Sequence, residues 1–382
     1  MKSLFGFLVA LCAAHAGVLG LTLNYITVNS SYTFPYASSV DITTSNPSIK
    51  TVFMVIHGIA GDVQTSFGNM VALTSYDSSI AVVAPYFACD KSIPIQANTL
   101  MWDCNGWQEG DPSAQLSSIY SFSMADRLLQ IVRSSFANLG QVYVVGYSAG
   151  GQFVQRYLGG STVALSSKLN TNVGFVVGAP GSFMYLDTHR VKSGISFKAI
   201  SNECNPSGCS LSISNFTTNY NPSPSCPGYD QDKYGLSDVQ TQVPFTYLSQ
   251  FTAGTISTQY QGQSVTYMVG SMDTAVDSIL DTTCPAQAQG ENRLQRSLVF
   301  NRYLQLYFPQ AWSAPQVVVG CTHDELCVFR SSQFAAATKL TFQNLPSSNT
   351  TPTSRSMGVP RASIPVLGAT MLALGTLSML LI

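Results

Sequence analysis

Val142-Tyr143-Val144-Val145-Gly146-Tyr147-Ser148-Ala149-Gly150 is the stretch on which the reading of this chain turns. Four apolar β-formers run into a Gly-x-Ser-x-Gly, and Gln152-Phe153-Val154-Gln155-Arg156-Tyr157-Leu158 follows. In that second segment Phe153, Val154, Tyr157 and Leu158 fall on one helical face. The pattern predicts a strand that turns sharply into a helix and lifts the Ser148 hydroxyl clear of the sheet as a nucleophile. Glycines flank such a serine because the turn is strained and packs where no side chain fits. Small residues produce the pentapeptide by chance, so the weight lies in its place between strand and helix. A surface serine on a glycine-rich turn is the competing reading.

Outward from this turn, apolar runs recur at 51–56, 80–84, 173–177, 265–269 and 317–319, as expected of strands covered on both faces. A β-rich opening covers 21–29, with a hairpin through Asp41, and a helical pattern covers 124–132. This alternation predicts an α/β fold, a mainly parallel sheet with helices on both faces. Residues 201–262, before the strand at 265–269, break the rhythm and are rich in Cys, Pro, Ser, Asn and Gly. They read as a disulfide-tied cap over the site or as a decorated surface loop.

A serine nucleophile needs a base, and the base needs a carboxylate to set its tautomer. After a turn of this kind the partners come in the order acid, then histidine. Only His189 and His323 follow Ser148, and His323 sits just past the last apolar run, where the base belongs. His189 precedes any acid-bearing strand and reads as a surface or structural residue. Asp273 closes the loop Gly270-Ser271-Met272-Asp273 at the end of a strand and is the favoured acid. Asp277 and Asp281 are its rivals, and Asp324 is too close to His323 in the chain to support the ring.

An oxyanion needs two backbone donors, expected from Ala149 and from the His57-Gly58-Ile59 loop, with Gly58 and Ile59 as candidates. His57 reads as a brace for that loop. Trp102, Trp107, Tyr86 and Phe87 either line an acyl pocket or belong to the core. Asp103, Glu109 and Asp111 either repel anionic substrates or solvate a loop.

These residues resemble the α/β-hydrolase superfamily, and more narrowly a set of secreted fungal, oomycete and bacterial serine hydrolases. The resemblance rests on Val55-Ile56-His57-Gly58, Ala84-Pro85-Tyr86-Phe87, the segment from Val144 to Tyr157, Gly270-Ser271-Met272-Asp273-Thr274, the segment from Cys284 to Arg293, and Val319-Gly320-Cys321-Thr322-His323-Asp324. It implies ester or related acyl hydrolysis and places a triad on Ser148, Asp273 and His323. The chain departs from it at Gly61-Asp62-Val63-Gln64-Thr65, where such proteins often carry Arg-Asn-Ala-Asp.

The 382 residues are 45% hydrophobic and 10% charged with a net charge of -1, which argues against a nucleic-acid partner. Lys2, the apolar run after it and Ala14-His15-Ala16 predict a signal peptide over 1–16, with 20 as an alternative end. The hydrolase domain is expected over 21–343, a Ser/Thr/Pro-rich stalk over 344–358, and a hydrophobic tail over 359–382. The last 19 residues, 364–382, carry no charge, which fits a GPI-attachment signal or a membrane tail. Small residues near Ser354 or Ser356 are the candidate attachment sites.

Of nine cysteines, Cys12 lies in the leader, leaving Cys89, Cys104, Cys204, Cys209, Cys226, Cys284, Cys321 and Cys327. Eight allow on the order of a hundred pairings. Proximity favours Cys89–Cys104, Cys204–Cys209 and Cys321–Cys327, leaving Cys226 for Cys284. Paired Cys-x-x-Cys spacings are missing and histidines are few, so no metal is expected, nor any organic cofactor. Asn29, Asn215 and Asn349 stand in glycosylation sequons. The expected activity is cleavage of a small or polymeric carboxylic ester through an acyl-serine. A peptidase or amidase on the same triad, or a non-catalytic surface binding protein on this fold, are the rivals. Oligomeric state is not legible in the sequence.

Overall fold

The apolar runs become six adjacent strands of one eight-stranded sheet. The computed structural model describes residues 21–341 apart from 60, 91–92, 162 and 165–170. The expected leader, the stalk with Asn349, and the tail lie outside the described residues. The strands are β1 (Asn24–Thr27), β2 (Thr33–Ser38), β3 (Thr51–Ile56), β4 (Ile80–Pro85), β5 (Gln141–Tyr147), β6 (Asn172–Gly178), β7 (Ser264–Gly270) and β8 (Gln316–Val318). Their spatial order is β1-β2-β4-β3-β5-β6-β7-β8. Pairing is parallel from β4 to β8, and β2 alone runs against its neighbours β1 and β4.

Burial explains why these runs do not alternate. Successive strand side chains point to opposite faces, yet Val52 to Ile56 and Val142 to Tyr147 are buried at every position. Both faces are therefore covered. Helix α1 (Val63–Thr74) packs on β3 and β4, α2 (Ser121–Ser135) touches β4, and α3 (Ala149–Tyr157) packs on β3, β5 and β6. A further helix, Arg293–Tyr307, packs on β7. Helix α2 extends beyond the 124–132 pattern at both ends. At the sheet's far edge β8 stops at Val318, and Val319, expected in the strand, is 83% exposed.

The cysteines pair as Cys89–Cys104, Cys204–Cys209, Cys226–Cys284 and Cys321–Cys327. The 201–262 segment joins β6 to β7 and is bound to its surroundings. Cys226–Cys284 ties it to the connection after β7, and Lys233 lies 3.0 Å from Glu109 and 3.6 Å from Asp281. Its irregular first part gives way to the helix Ala253–Gln261.

The N-terminus of α3 is pressed against the ends of β3 and β5, and this contact sets the site. A Cβ on Gly146 would lie 2.1 Å from the Gly150 carbonyl oxygen, and one on Gly150 would lie 2.2 Å from the Ile56 carbonyl oxygen. Backbone cannot retreat as a flexible side chain could. Gly150→Ala is expected to destabilise the protein by about 3 kcal/mol or more, read as a shift of the urea midpoint.

Candidate active site

Ser148 stands between β5 and α3 with φ 57° and ψ -120°, a conformation non-glycine residues rarely adopt. Its N–H donates to the Gly178 carbonyl at 2.9 Å, and its carbonyl accepts the Gln152 N–H at 3.0 Å. The turn is thus bonded to β6 on one side and to its own helix on the other. The serine is partly exposed while its neighbours Tyr147 and Ala149 are buried.

Asp273 and His323 follow β7 and β8, on the same carboxyl edge of the sheet. Asp273 is 1% exposed, and its Oδ2 lies 2.8 Å from His323 Nδ1. Its N–H donates to the Gly270 carbonyl and its own carbonyl accepts the Leu294 N–H at 3.1 Å, so the loop is held from both sides. The His323 ring packs 5.0 Å from the Tyr147 ring, next to Ser148. Among the described residues no hydrogen bond closes between Ser148 Oγ and the ring; such contacts are commonly long without substrate.

The rival acids are engaged elsewhere. Asp277 receives both terminal nitrogens of the buried Arg293, at 3.1 and 3.3 Å. Asp281 accepts the Tyr234 hydroxyl at 2.7 Å. Asp324 Oδ1 accepts the Cys327 N–H at 3.0 Å and caps the short helix Glu325–Phe329. His189 lies 2.9 Å from Asp187 and stacks 3.9 Å from Tyr307. The Cys321–Cys327 disulfide closes the loop that carries His323.

His57 fixes the loop that follows β3. The ring is fully buried, and its Nδ1 donates to the Gly58 carbonyl at 2.8 Å. Its Nε2 accepts the Phe87 N–H at 3.1 Å, which requires the Nδ1–H tautomer. The Gly58 carbonyl also accepts the Gly61 N–H at 3.2 Å. A trans peptide points C=O and N–H in opposite directions, so the Ile59 N–H is turned away from the ring. Among the described residues that N–H makes no hydrogen bond, and neither does the N–H of Ala149 in the first turn of α3. A Cβ on Gly58 would meet nothing within 4 Å, so open space adjoins this loop.

The aromatic residues take the second of the two roles the sequence left open for them, and two of the acidic residues take neither of theirs. Tyr86, Phe87, Trp102 and Trp107 are all buried. Phe87 and Trp107 stack at 5.4 Å, and Trp107 lies 4.5 Å from His57. They are core that backs the His57–Ile59 loop, not a pocket lining. Nor are Glu109 and Asp111 solvating charges: Glu109 meets Lys233, and burial raises the Asp111 carboxyl to about 7. Asp232 is likewise raised to about 7 by burial.

Three contributors went unrecognised in the sequence. Arg293 anchors the loop after Asp273 through Asp277, and the quoted segment ending in Arg293 was the only signal. The Tyr147 ring supports His323. Glu325, raised by burial, accepts the Ser66 hydroxyl at 2.8 Å and joins α1 to the loop of His323. Asn29 is exposed and Asn215 partly so. Among the described residues no cluster of three or more His, Cys, Asp or Glu is placed to hold a metal.

No known family profile matches the chain, and no curated protein matches it. Solved structures do. The crystal structure of LpqC, a poly(3-hydroxybutyrate) depolymerase from Bordetella parapertussis, is 18% identical over 85% of this chain and 92% of its own, with a TM-score of 0.53. Poly(aspartic acid) hydrolase-1 from Sphingomonas sp. KT-1 is 16% identical over 83% and 97%, with a TM-score of 0.49. The fold is the α/β-hydrolase fold. At these identities the likeness concerns the fold alone, and the strand order and the β5–Ser148–α3 turn agree with it.

Two outcomes test this geometry. Ser148→Gly removes the strained φ of a non-glycine residue and is expected to raise stability by about 1 kcal/mol in urea denaturation. His57 gives a pH dependence. Burial lowers its pKa to about 4, below the unfolded value of about 6.5. The unfolded chain therefore takes up the proton first, and stability from the neutral ring is whole above about pH 6.5 and lost as pH falls toward 4. That loss amounts to about 2 kcal/mol between pH 7 and 5. Asp111 and Asp232, raised above the usual carboxylate range, act in the opposite sense over the same interval. The quantity to read is thus the difference between the wild-type slope and that of His57→Gln, which lacks the ring's titration.

Proposed function

We propose that this protein is an exported serine hydrolase that cleaves carboxylic esters through an acyl-enzyme. The observation that carries the reading is the bond between buried Asp273 and His323 on the sheet edge where the strained turn presents Ser148. In this reading His323 Nε2 takes the Ser148 proton as Oγ attacks the ester carbonyl carbon. Asp273 keeps Nδ1 protonated and stabilises the imidazolium. The N–H groups of Ala149 and of Ile59, on the Gly58–Ile59 peptide, receive the oxyanion. Collapse of the tetrahedral species breaks the carbonyl carbon–alkoxy bond, and His323 returns the proton to the departing alcohol. Water then attacks the acyl-serine with His323 as base, giving the acid and free Ser148. No metal or organic cofactor enters these steps.

A poly(3-hydroxybutyrate) depolymerase shares the fold, which makes esters the first class to test, although a fold does not choose a substrate. Four disulfides suit an oxidising compartment. With the leader and apolar tail expected from the sequence, they support export and a lipid-anchored position at the cell surface. Segment 201–262, bonded to the loops after β4 and β7, is proposed as a fixed cap beside the site.

The purified domain should take up one fluorophosphonate label and turn over p-nitrophenyl esters, and Ser148→Ala should abolish both. Asp273→Asn should lower kcat by about 10⁴-fold. Folded protein that neither labels nor turns over any ester would refute the assignment.

A further inference from the structure

The His57–Ile59 loop and the loop of His323 follow strands that do not pair. In the sheet β5, β6 and β7 lie between β3, which leads into the first loop, and β8, which leads into the second. The loop of His323 is bonded to the loop of Asp273, through the His323–Asp273 contact and through the Met272 N–H on the Cys321 carbonyl at 2.8 Å. The His57–Ile59 loop is bonded the other way, through His57 to the Phe87 N–H after β4. Neither set of bonds links one loop to the other.

Glu325 makes that link. Its Oε2 accepts the Ser66 hydroxyl at 2.8 Å, and its Oε1 accepts the Asn69 side-chain amide at 3.4 Å. Ser66 and Asn69 are three residues apart on α1 and so share a face. Both partners donate, which suits a carboxylate because it only accepts. Burial raises the Glu325 carboxyl, its two hydrogen bonds oppose the rise, and Asp62 and Asp324 add to it. Among the described residues every hydrogen bond between 57–74 and 319–329 ends on Glu325. Each end of the bridge is stiff. The Gly61 N–H donates to the Gly58 carbonyl at 3.2 Å, the Val63 N–H donates to the Gly61 carbonyl at 2.8 Å, and Asp62 caps α1. On the other side the Asp324 N–H donates to the Thr322 carbonyl at 2.9 Å, and Asp324 caps the helix that Glu325 opens. The Cys321–Cys327 disulfide closes the same stretch.

We propose that Glu325 is a positioning residue for the hydrolysis: by tying α1 to the loop of His323, it sets where the Ile59 N–H stands relative to the base. It touches no reacting atom. This rests on the ester-hydrolase reading above, because only that reading gives the Ile59 N–H an oxyanion to receive. Contacts to the oxyanion are stronger in the transition state than in the bound ester, so a displaced donor lowers kcat and leaves KM in place. A misplacement of about 1 Å is enough to cost about 100-fold.

The test is p-nitrophenyl acetate kinetics, with kcat taken per site titrated by a fluorophosphonate so that unfolded protein does not count. Glu325→Ala should lower kcat about 10- to 100-fold with KM within about twofold. Ser66→Ala is the milder cut, and the one to read if Glu325→Ala does not fold; it should lower kcat by about threefold or more. The double variant should be no slower than Glu325→Ala, since both changes break the same bridge. Glu325→Gln, whose amide oxygen still accepts the Ser66 hydroxyl, should recover most of the lost kcat. A purely structural role would lower the urea midpoint and leave kcat per site unchanged, and that result overturns the proposal. So do losses that multiply in the double variant, or a raised KM with kcat intact. A parent that neither labels nor turns over any ester defeats the hydrolase reading and this proposal with it. An active parent matched by every variant defeats this proposal alone.

Discussion

The contact between the first turn of α3 and the carbonyl ends of β3 and β5 governs much of this molecule. Gly146 and Gly150 let backbone meet backbone with no room for a methyl group. That closeness forces the intervening residue into a positive φ, which Ser148 occupies at a cost of about 1–3 kcal/mol. The surrounding ladder offsets the cost: β5 is bonded along its length to β3 on one side and β6 on the other. A strained serine survives because its neighbours are too well bonded to move.

Buried guanidinium groups extend the same rigidity to the irregular parts of the chain. Arg156, Arg190, Arg293 and Arg296 are all fully buried. An unpaired charge in such surroundings would cost several kcal/mol. Arg156 donates to the Lys233 carbonyl at 3.0 Å, and Arg190 donates to the carbonyls of His189, Tyr229 and Tyr234. Arg296 donates to Gly290, Asp281 and Gly181 carbonyls. The planar fork of arginine suits this role because one side chain satisfies several carbonyls. Loops that lack a ladder of their own are bonded through these side chains to each other and to helices α3 and Arg293–Tyr307. Where the fork meets a carboxylate, at Arg293 and Asp277, it fixes the stretch between Asp273 and the following helix.

Much of the fold was legible because its cause is local. Unbroken apolar runs at 51–56, 80–84 and 142–145 can only be strands covered on both faces, and the structure buries nearly every residue of them. The Gly-x-Ser-x-Gly read correctly as a strand–helix turn because glycine spacing and flanking pattern lie within a few residues. The aromatic residues were ambiguous for the opposite reason. Composition cannot distinguish a ring that lines a cavity from one that stacks behind a loop, and Trp107 and Phe87 proved to stack. Asp111 looked like a loop charge because its burial depends on a segment more than a hundred residues further along the chain, which brings Lys233 and Asp232 beside it.

By itself the sequence determined the order of strands and helices, the turn that presents Ser148, and the short set of histidines and carboxylates from which a site could be drawn. Backbone propensity and apolar period act over one or two turns, so they are written into neighbouring residues. The sequence favoured Asp273 and His323 from that set, but only the tertiary structure brings the two side chains into contact. Asp273 and His323 are 50 residues apart in the chain and become partners because β7 and β8 pair in parallel, with their following loops side by side. Asp277 and Asp281 carry the same chemistry a few residues away, yet a buried arginine and a tyrosine hydroxyl hold them elsewhere. Position at a strand end is a local pattern, whereas the register across the sheet that completes the contact is not.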